Sequence, residues 1–155
     1  MRQNPKLQGI QMTMQAGVLA PYQFLGDDTR NIADIIHADN LTVTQLETTH
    51  ATIVARMKYF AQSGKKSIGH EVVVDECYRV VAEEHKGSVP CPFADNYQAR
   101  KSVIHVTNLV LQRSVYYTDL NIHMIEEHQF YEGIGAPYRV DPRDVVEILN
   151  VRNNK

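Results

Sequence analysis

The sequence predicts an α+β fold in one domain, with a mixed or antiparallel sheet and about four helices, two of which form an N-terminal helical hairpin. Apolar residues recur at helical spacing on both sides of a central segment that is rich in β-branched residues. No repeat, linker or low-complexity tract divides the 155 residues, a length that suits one hydrophobic core. We therefore expect residues 1–155 to form a single domain, with a polar tail from about residue 151.

The first predicted element is a strand over residues 9–17. Apolar side chains occupy every second position of this segment: Ile10, Met12, Met14 and Ala16. Polar residues fill most of the positions between them, and alternation with a period of two is typical of a half-buried strand. Pro21 and Gly26 then indicate a loop.

Two helices are predicted next. Asp27-Asp28-Thr29 can cap the first, whose buried side is formed by Ile32, Ile35 and Ile36. The second begins at Thr42, which can form a capping box with Gln45. It should run to about Ser63, because Gly64 suits the left-handed position after a helix end. Its apolar stripe keeps helical spacing for five intervals: Val43, Leu46, His50, Ile53, Met57 and Phe60.

The middle of the chain is predicted to form the sheet. β-Branched residues are concentrated in three short segments: 72–74, 78–82 and 103–106. The alternative is a single helix over 71–86 that ends at Gly87. Three consecutive valines favour strands because they lose rotamer freedom in a helix, although short apolar runs are ambiguous between the two.

Turn and cap residues complete the predicted fold. Lys86-Gly87 can form the turn of a β-hairpin, and a further strand is expected over 114–117. A helix should follow that strand, capped by Thr118 or by the next residue. The last helix is predicted to start at Asp141, with Pro142 in the first helical position, where its missing amide costs nothing.

Composition excludes several classes of function. The 16 basic and 18 acidic residues give a net charge of −2, so we expect no nucleic-acid partner and no anionic membrane surface. No apolar run is long enough to span a bilayer, and glutamines interrupt the only candidate for a signal peptide. Two cysteines are too few for a disulfide framework. A cytoplasmic protein with free thiols is the expectation.

Polar residues beyond those that folding requires are concentrated between Asn121 and Pro142. His123 and His128 are candidate metal ligands, but on an ideal helix their side chains point about 140° apart. A helix that ends near Glu127 would let both reach one ion. His123 can also pair with Glu127 at i, i+4 spacing. The alternative is an ordinary surface helix in which His123 caps or packs.

Cys91 is the candidate nucleophile. It lies between Pro90 and Pro92, which restrict the local backbone to extended conformations. A thiol held at a strand end can act as a nucleophile or ligand if a histidine or a metal lowers its pKa. Since free cysteine is also among the most buried residue types, an inert packing role is the alternative.

Three further residues complete the candidate site. His105 alternates with Ile104 on a predicted strand and is a candidate third metal ligand. Gly133-Ile134-Gly135 before Arg139 resembles a small anion-binding turn, so Arg139 is expected to hold an anionic substrate group. Glu127 is a second substrate-binding candidate. A purely structural loop is the alternative for the glycine turn.

These residues predict a small metal- or thiol-dependent enzyme, with Cys91 and His123 nearest the chemistry. His105, His123 and His128 would hold a zinc-like divalent ion, and the ligand would be a small molecule. The alternative is a non-catalytic binding or assembly module that uses the 42–63 helix. The apolar stripe of that helix exceeds what one short helix covers, so a homodimer about a two-fold axis is expected.

Overall fold

The computed structural model describes residues 3–15 and 23–151, which form five helices and four strands. In chain order these are α1 (Pro5–Gln15), α2 (Ile32–Gln45), α3 (His50–Lys65), β1 (Val72–Val74), β2 (Tyr78–Pro90), β3 (Gln98–Asn108), β4 (Arg113–Thr118), α4 (Asp119–His128) and α5 (Pro142–Ile148). The predicted α+β class is confirmed. Within the described ranges, no helix is long and apolar enough to cross a lipid bilayer.

The four strands form one antiparallel sheet in the order β1-β2-β3-β4. Of the two sheet types that the sequence left open, the antiparallel one is therefore confirmed. Strands rather than one helix over 71–86 are confirmed as well. β2 and β3 are the longest strands, and between them lies the loop 91–97, which reaches the candidate site.

Helices α3 and α4 cover one face of the sheet. Val80 and Ile104 on that face are fully buried, and so are Ile53, Met57 and Phe60 of the α3 stripe. Tyr117 on β4 donates a hydrogen bond from its Oη to the carbonyl oxygen of Met57, 2.8 Å away. Four of the six stripe residues are thus buried within one chain, and Leu46 and His50 are half-buried. The homodimer stays a prediction.

The predicted strand over 9–17 is wrong where the structure describes it, because residues 5–15 form α1. Ile10 and Met14 lie one helical turn apart and are both buried, whereas Met12 between them is 59% exposed. Gln11 is also buried, and its Oε1 accepts a hydrogen bond from the backbone amide of Ile32. A long-range contact thus replaces the cap predicted at Asp27-Asp28-Thr29. Residues 16 and 17 lie outside the described residues.

The predicted start of the helix from Thr42 to about Ser63 is wrong, while α3 ends at Lys65, two residues past the predicted end. Thr42 lies inside α2, the chain turns at residues 46–49, and Thr49 caps α3 by accepting a hydrogen bond from the amide of Thr52. Glu47 takes a left-handed backbone conformation (φ 59°) there, so the break occurs without a glycine. The two consecutive helices still correspond to the predicted N-terminal hairpin.

The hairpin turn predicted at Lys86-Gly87 is also wrong. β2 continues to Pro90, and the two residues only interrupt its pairing register with β3. Gly87 has a φ of 98°, which a local irregularity in a strand accommodates as well as a turn does. The caps of the last two helices are confirmed: Thr118 begins α4 and Asp141 begins α5.

Candidate metal centre

The loop 91–97 between β2 and β3 brings a thiol and a carboxylate together. The amide of Cys91 donates to the carbonyl oxygen of Tyr97 at 2.9 Å, which closes the loop. Ala94 and Asn96 both have positive φ angles, so the chain folds back tightly without glycine. The amide of Tyr97 donates to Oδ1 of Asp95 at 3.0 Å. This contact fixes the carboxylate and leaves its Oδ2 free to face α4.

Helix α4 supplies two imidazoles to the same point. Nε2 of His123 and Nε2 of His128 each lie 2.7 Å from Oδ2 of Asp95. His128 is the last residue of α4, and Gln129 after it takes a left-handed conformation (φ 54°). The helix therefore ends where the sequence required it to end for both histidines to approach one ion.

Two aromatic rings from the loop hold the imidazoles in place. Tyr97 stacks on His123 with ring centroids 3.7 Å apart, and Phe93 stacks on His128 at 4.1 Å. The planes are within 10° of parallel in both pairs. The loop 91–97 thus supplies two potential ligands and also the two aromatic rings that orient the imidazole ligands of α4. Packing of this kind restricts ring rotation and prepares the nitrogens for a ligand.

The four side chains fit the ligand set of a zinc-like ion. The candidate ligand atoms of Cys91, Asp95, His123 and His128 all lie within 4.8 Å of one another. Zinc–ligand distances of about 2.0–2.3 Å place tetrahedral ligands about 3.3–3.8 Å apart. The imidazole–carboxylate contacts, which are 2.7 Å now, would therefore open by about 0.6–0.8 Å around an ion. Thiolate and imidazole together favour zinc over magnesium or calcium, which prefer oxygen ligands.

The two acidic groups at this centre, the Cys91 thiol and the Asp95 carboxyl, have pKa values that are shifted in opposite directions. Burial raises the pKa of Cys91 to about 12, and the negative charge of Asp95 adds to this effect. Burial would also raise the pKa of Asp95, but hydrogen bonds from His128, the Tyr97 amide and His123 outweigh it and hold that pKa below its usual range. Without a cation, the thiol is thus protonated and unsuited to act as a nucleophile.

The structure does not bring His105 to this centre. The side chain of His105 is 48% exposed and lies 3.9 Å from Oε2 of Glu83, with Tyr116 beside its ring. Its neighbour Ile104 faces α3, and alternation along β3 therefore places His105 on the opposite face of the sheet.

Arg139 is engaged elsewhere in the fold. Its guanidinium makes two hydrogen bonds to Asp39, at 3.0 and 2.9 Å, and a third to the carbonyl oxygen of Glu132. The neighbouring glycine turn does receive a carboxylate, but the carboxylate is Oδ2 of Asp28 from the same chain, which accepts from the amide of Ile134. These contacts support the alternative in which the glycine turn is a purely structural loop.

The glycine turn also packs directly against the loop that precedes α2. A Cβ atom on Gly133 would lie 2.3 Å from the carbonyl oxygen of Leu25. Gly133 thus permits two backbone segments to approach closely, which is a packing role rather than a ligand-binding one.

Two open clefts border the centre. One, of about 390 Å³, lies between α3 and α4 and includes Lys58, Tyr97 and His123. The other, of about 530 Å³, lies between α1 and the end of α4 and includes His128 and Glu127. Glu127 is exposed on the wall of this second cleft. The hydrogen-bond partner of His123 is Asp95 rather than Glu127, the partner that the i, i+4 spacing predicted.

Sequence reasoning missed Asp95, Phe93 and Tyr97. A signal for Asp95 was present: Cys91-x3-Asp95 and His123-x4-His128 match the ligand spacing of a Cys2His2 zinc site if aspartate replaces the second cysteine. The spacer differs from that of a classical finger, where about 12 residues separate the two ligand pairs, because β3 and β4 lie between Asp95 and His123 here. No protein-family model, curated protein or solved structure matches the chain.

Proposed function

We propose that the protein binds one zinc ion through Cys91, Asp95, His123 and His128, and that the ion fastens the loop 91–97 to α4. The observation that carries the proposal is the convergence of four ligand atoms of suitable chemistry within 4.8 Å. Metal binding would release the thiol proton, since zinc ligands bind as thiolates.

The proposed role of the ion is structural. Four protein ligands complete a tetrahedral shell, whereas catalytic zinc sites usually keep one position for water or substrate. In this arrangement Cys91 is consumed as a ligand and does not serve as a nucleophile. The protein is then a zinc-stabilised binding module rather than an enzyme. This proposal combines the metal site of the first function expected from the sequence with the non-catalytic role of the second, which was expected to use the 42–63 helix instead.

We propose no nucleic-acid role, although the ligand spacing resembles that of a zinc finger. The helix of a DNA-binding finger inserts an exposed basic face into the major groove. Here α4 packs against α3, and the residues at its rim are acidic: Asp119, Glu126 and Glu127. Asp119 and Glu126 are already paired with Lys65 and Lys58, at 2.6 and 2.8 Å.

The experiment that tests the zinc site is elemental analysis of tag-free protein. We expect one zinc per chain, and loss of that zinc in Cys91→Ser and in His123→Ala. The matched controls are Cys77→Ser and His105→Ala, which change the same residue types away from the centre and should keep the metal. Protein that contains no metal and also fails to bind added zinc would overturn the proposal.

A metal-dependent enzyme is the second candidate, and the cleft beside His123 is the observation that favours it. The two functions differ in whether the ion keeps an open position. Cobalt-substituted protein distinguishes them, because added azide changes the visible spectrum of an ion with an open position and leaves a closed shell unchanged. An azide-induced change would favour the enzyme.

A further inference from the structure

The turn between β3 and β4 exposes three consecutive apolar side chains. Leu109, Val110 and Leu111 are 36%, 76% and 42% exposed. Glycine, asparagine, aspartate and serine dominate turns of this kind because they suit the backbone and face water. A run of exposed apolar residues contributes nothing to this turn, and such patches mark interaction sites.

The turn that carries these residues is held rigidly. Oδ1 of the buried Asn108 accepts the amides of Val110 and Leu111, both at 3.0 Å, and its Nδ2 donates to the carbonyl oxygen of Ile148 at 2.9 Å. The amide of Leu109 donates to the carbonyl oxygen of Cys77 at 2.8 Å. Because the loop is ordered on folding, a partner would not bear the entropic cost of ordering it.

Acidic residues surround this apolar tip on two sides. The contact between Leu109 and Cys77 places the β1–β2 turn beside the tip, and that turn contains Asp75 and Glu76. On the other side, Arg113 at the start of β4 pairs with Asp144 and Glu147 of α5, at 2.9 and 2.8 Å. Asp75 and Glu76 thus add two carboxylates beside the tip on one side, while Arg113 offsets part of the charge of Asp144 and Glu147 on the other.

We infer that the tip formed by Leu109, Val110 and Leu111 inserts into an apolar pocket of a partner protein whose rim carries lysine or arginine. An apolar anchor inside a charged rim is the usual arrangement of a binding hot spot, and complementary rim charges direct the encounter. The acidic surroundings disfavour both a second copy of this chain and an anionic membrane surface, which attracts basic segments. This inference is independent of the zinc site.

The experiment places the photoreactive residue p-benzoylphenylalanine at position 110 of the full chain, in the cells that naturally produce the protein. We expect a cross-link to one protein, at a peptide that lines an apolar pocket bordered by basic residues. The matched control carries the same probe at Ile134, which is also apolar and is 58% exposed. It should not give that cross-link.

The purified partner then tests the role of each part. Leu111→Ser should weaken binding about tenfold or more, since it removes an anchor side chain. Glu76→Lys should slow association, and this effect should diminish in high salt. Both variants should keep the circular dichroism and the metal content of the wild type, which separates this result from failure of the zinc site.

Several outcomes would overturn the inference. They are a cross-link at position 110 to a second copy of the chain, a cross-link to an acidic or polar surface, or no cross-link beyond that of the position-134 probe. Co-sedimentation of the wild type, but not of Leu111→Ser, with phosphatidylcholine vesicles that contain or lack phosphatidylserine would assign the tip to a lipid surface instead.

Discussion

At the scale of single residues, Asp95 shows how one side chain organises the candidate metal centre. Its Oδ1 is fixed by the amide of Tyr97, and its Oδ2 faces both imidazoles of α4. A carboxylate held in this way can offer one oxygen to an ion without further ordering of its side chain. The geometry thus depends on the loop 91–97 as a unit, and not only on the residue types in the ligand set.

Glu132 is a second residue with an unusual environment. Its side chain is buried, Asn121 donates to its Oε2 at 2.7 Å, and its Oε1 has no hydrogen-bond partner within the described part of the chain. Burial raises the pKa of Glu132 to about 8, although the hydrogen bond from Asn121 and the charge of Arg139 act in the opposite direction. The folded protein therefore keeps this carboxyl neutral at pH 7.

This raised pKa predicts a loss of stability as pH rises. Between about pH 4.5, where the unfolded carboxyl titrates, and about pH 8, the unfolded chain releases a proton that the folded chain retains. Stability contributed by the neutral group is complete below that window and is lost as pH rises through it. We expect Glu132→Gln, which stays neutral, to be more stable than the wild type at pH 8.5 by on the order of a few kcal/mol.

Urea unfolding at pH 5 and pH 8.5 measures the effect. The advantage of Glu132→Gln should be small at pH 5 and large at pH 8.5, whereas the exposed control Glu127→Gln should show no comparable change between the two pH values. Equal behaviour of Glu132→Gln and wild type at both pH values would mean that Glu132 is not held neutral by the fold.

At the scale of elements, the contact between α3 and β2 depends on a glycine. Gly64 lies in the last turn of α3, and a Cβ atom there would lie 2.9 Å from Cγ1 of Val80 and 3.2 Å from Cβ of Ala82. The side chain of Val80 has little rotamer freedom with which to move away. The second contact, the Cβ atom of Ala82, is bonded directly to the backbone and can move only with it. The helix and the sheet are therefore closer here than an alanine allows.

A pair of glycine substitutions tests this close approach. Gly64→Ala should lower the free energy of unfolding by about 1–3 kcal/mol, because the added methyl group overpacks the interface. The matched control is Gly9→Ala in α1, where a Cβ atom meets nothing within 4 Å. That variant should gain about 0.5–1 kcal/mol from helix propensity. Chemical denaturation measures both, and stabilisation by Gly64→Ala would contradict the packing.

At the scale of the whole molecule, the proposed ion joins segments that lie far apart in the sequence. Cys91 and Asp95 lie in the loop between two strands, and His123 and His128 lie in a helix about 30 residues later. A ligand that binds only the folded chain stabilises it by mass action. This gain in stability should raise the temperature of one cooperative unfolding transition of the whole chain, rather than only order the loop locally.

Zinc removal should therefore lower the melting temperature. With free zinc at about 100 times its Kd, the linkage amounts to about 2.7 kcal/mol, which a chelator should abolish. Differential scanning calorimetry with and without chelator measures the shift. His128→Ala should melt at the same temperature in both conditions, while His105→Ala should respond as the wild type does. An identical response of wild type and His128→Ala would contradict a zinc-dependent fold.

Much of the fold could be predicted because its signals are local. Capping by Thr118 and Asp141, and the β-branched strands around Val72–Val74, depend on interactions within a few residues, and each was visible in the sequence. Cys91, His123 and His128 could also be selected by residue type. The spacing of the two histidines indicated that they converge only where a helix ends, and α4 ends there.

The tertiary structure alone decided the features that depend on distant contacts. Gln11 on α1 accepts the first amide of α2, and the segment is a helix although its apolar residues alternate as in a strand. The pairing register of β3 sends His105 to the face opposite α3, and the closed loop 91–97 brings Asp95 to the histidines in its place. Local propensities amount to a fraction of a kcal/mol per residue, so contacts made across the fold override them.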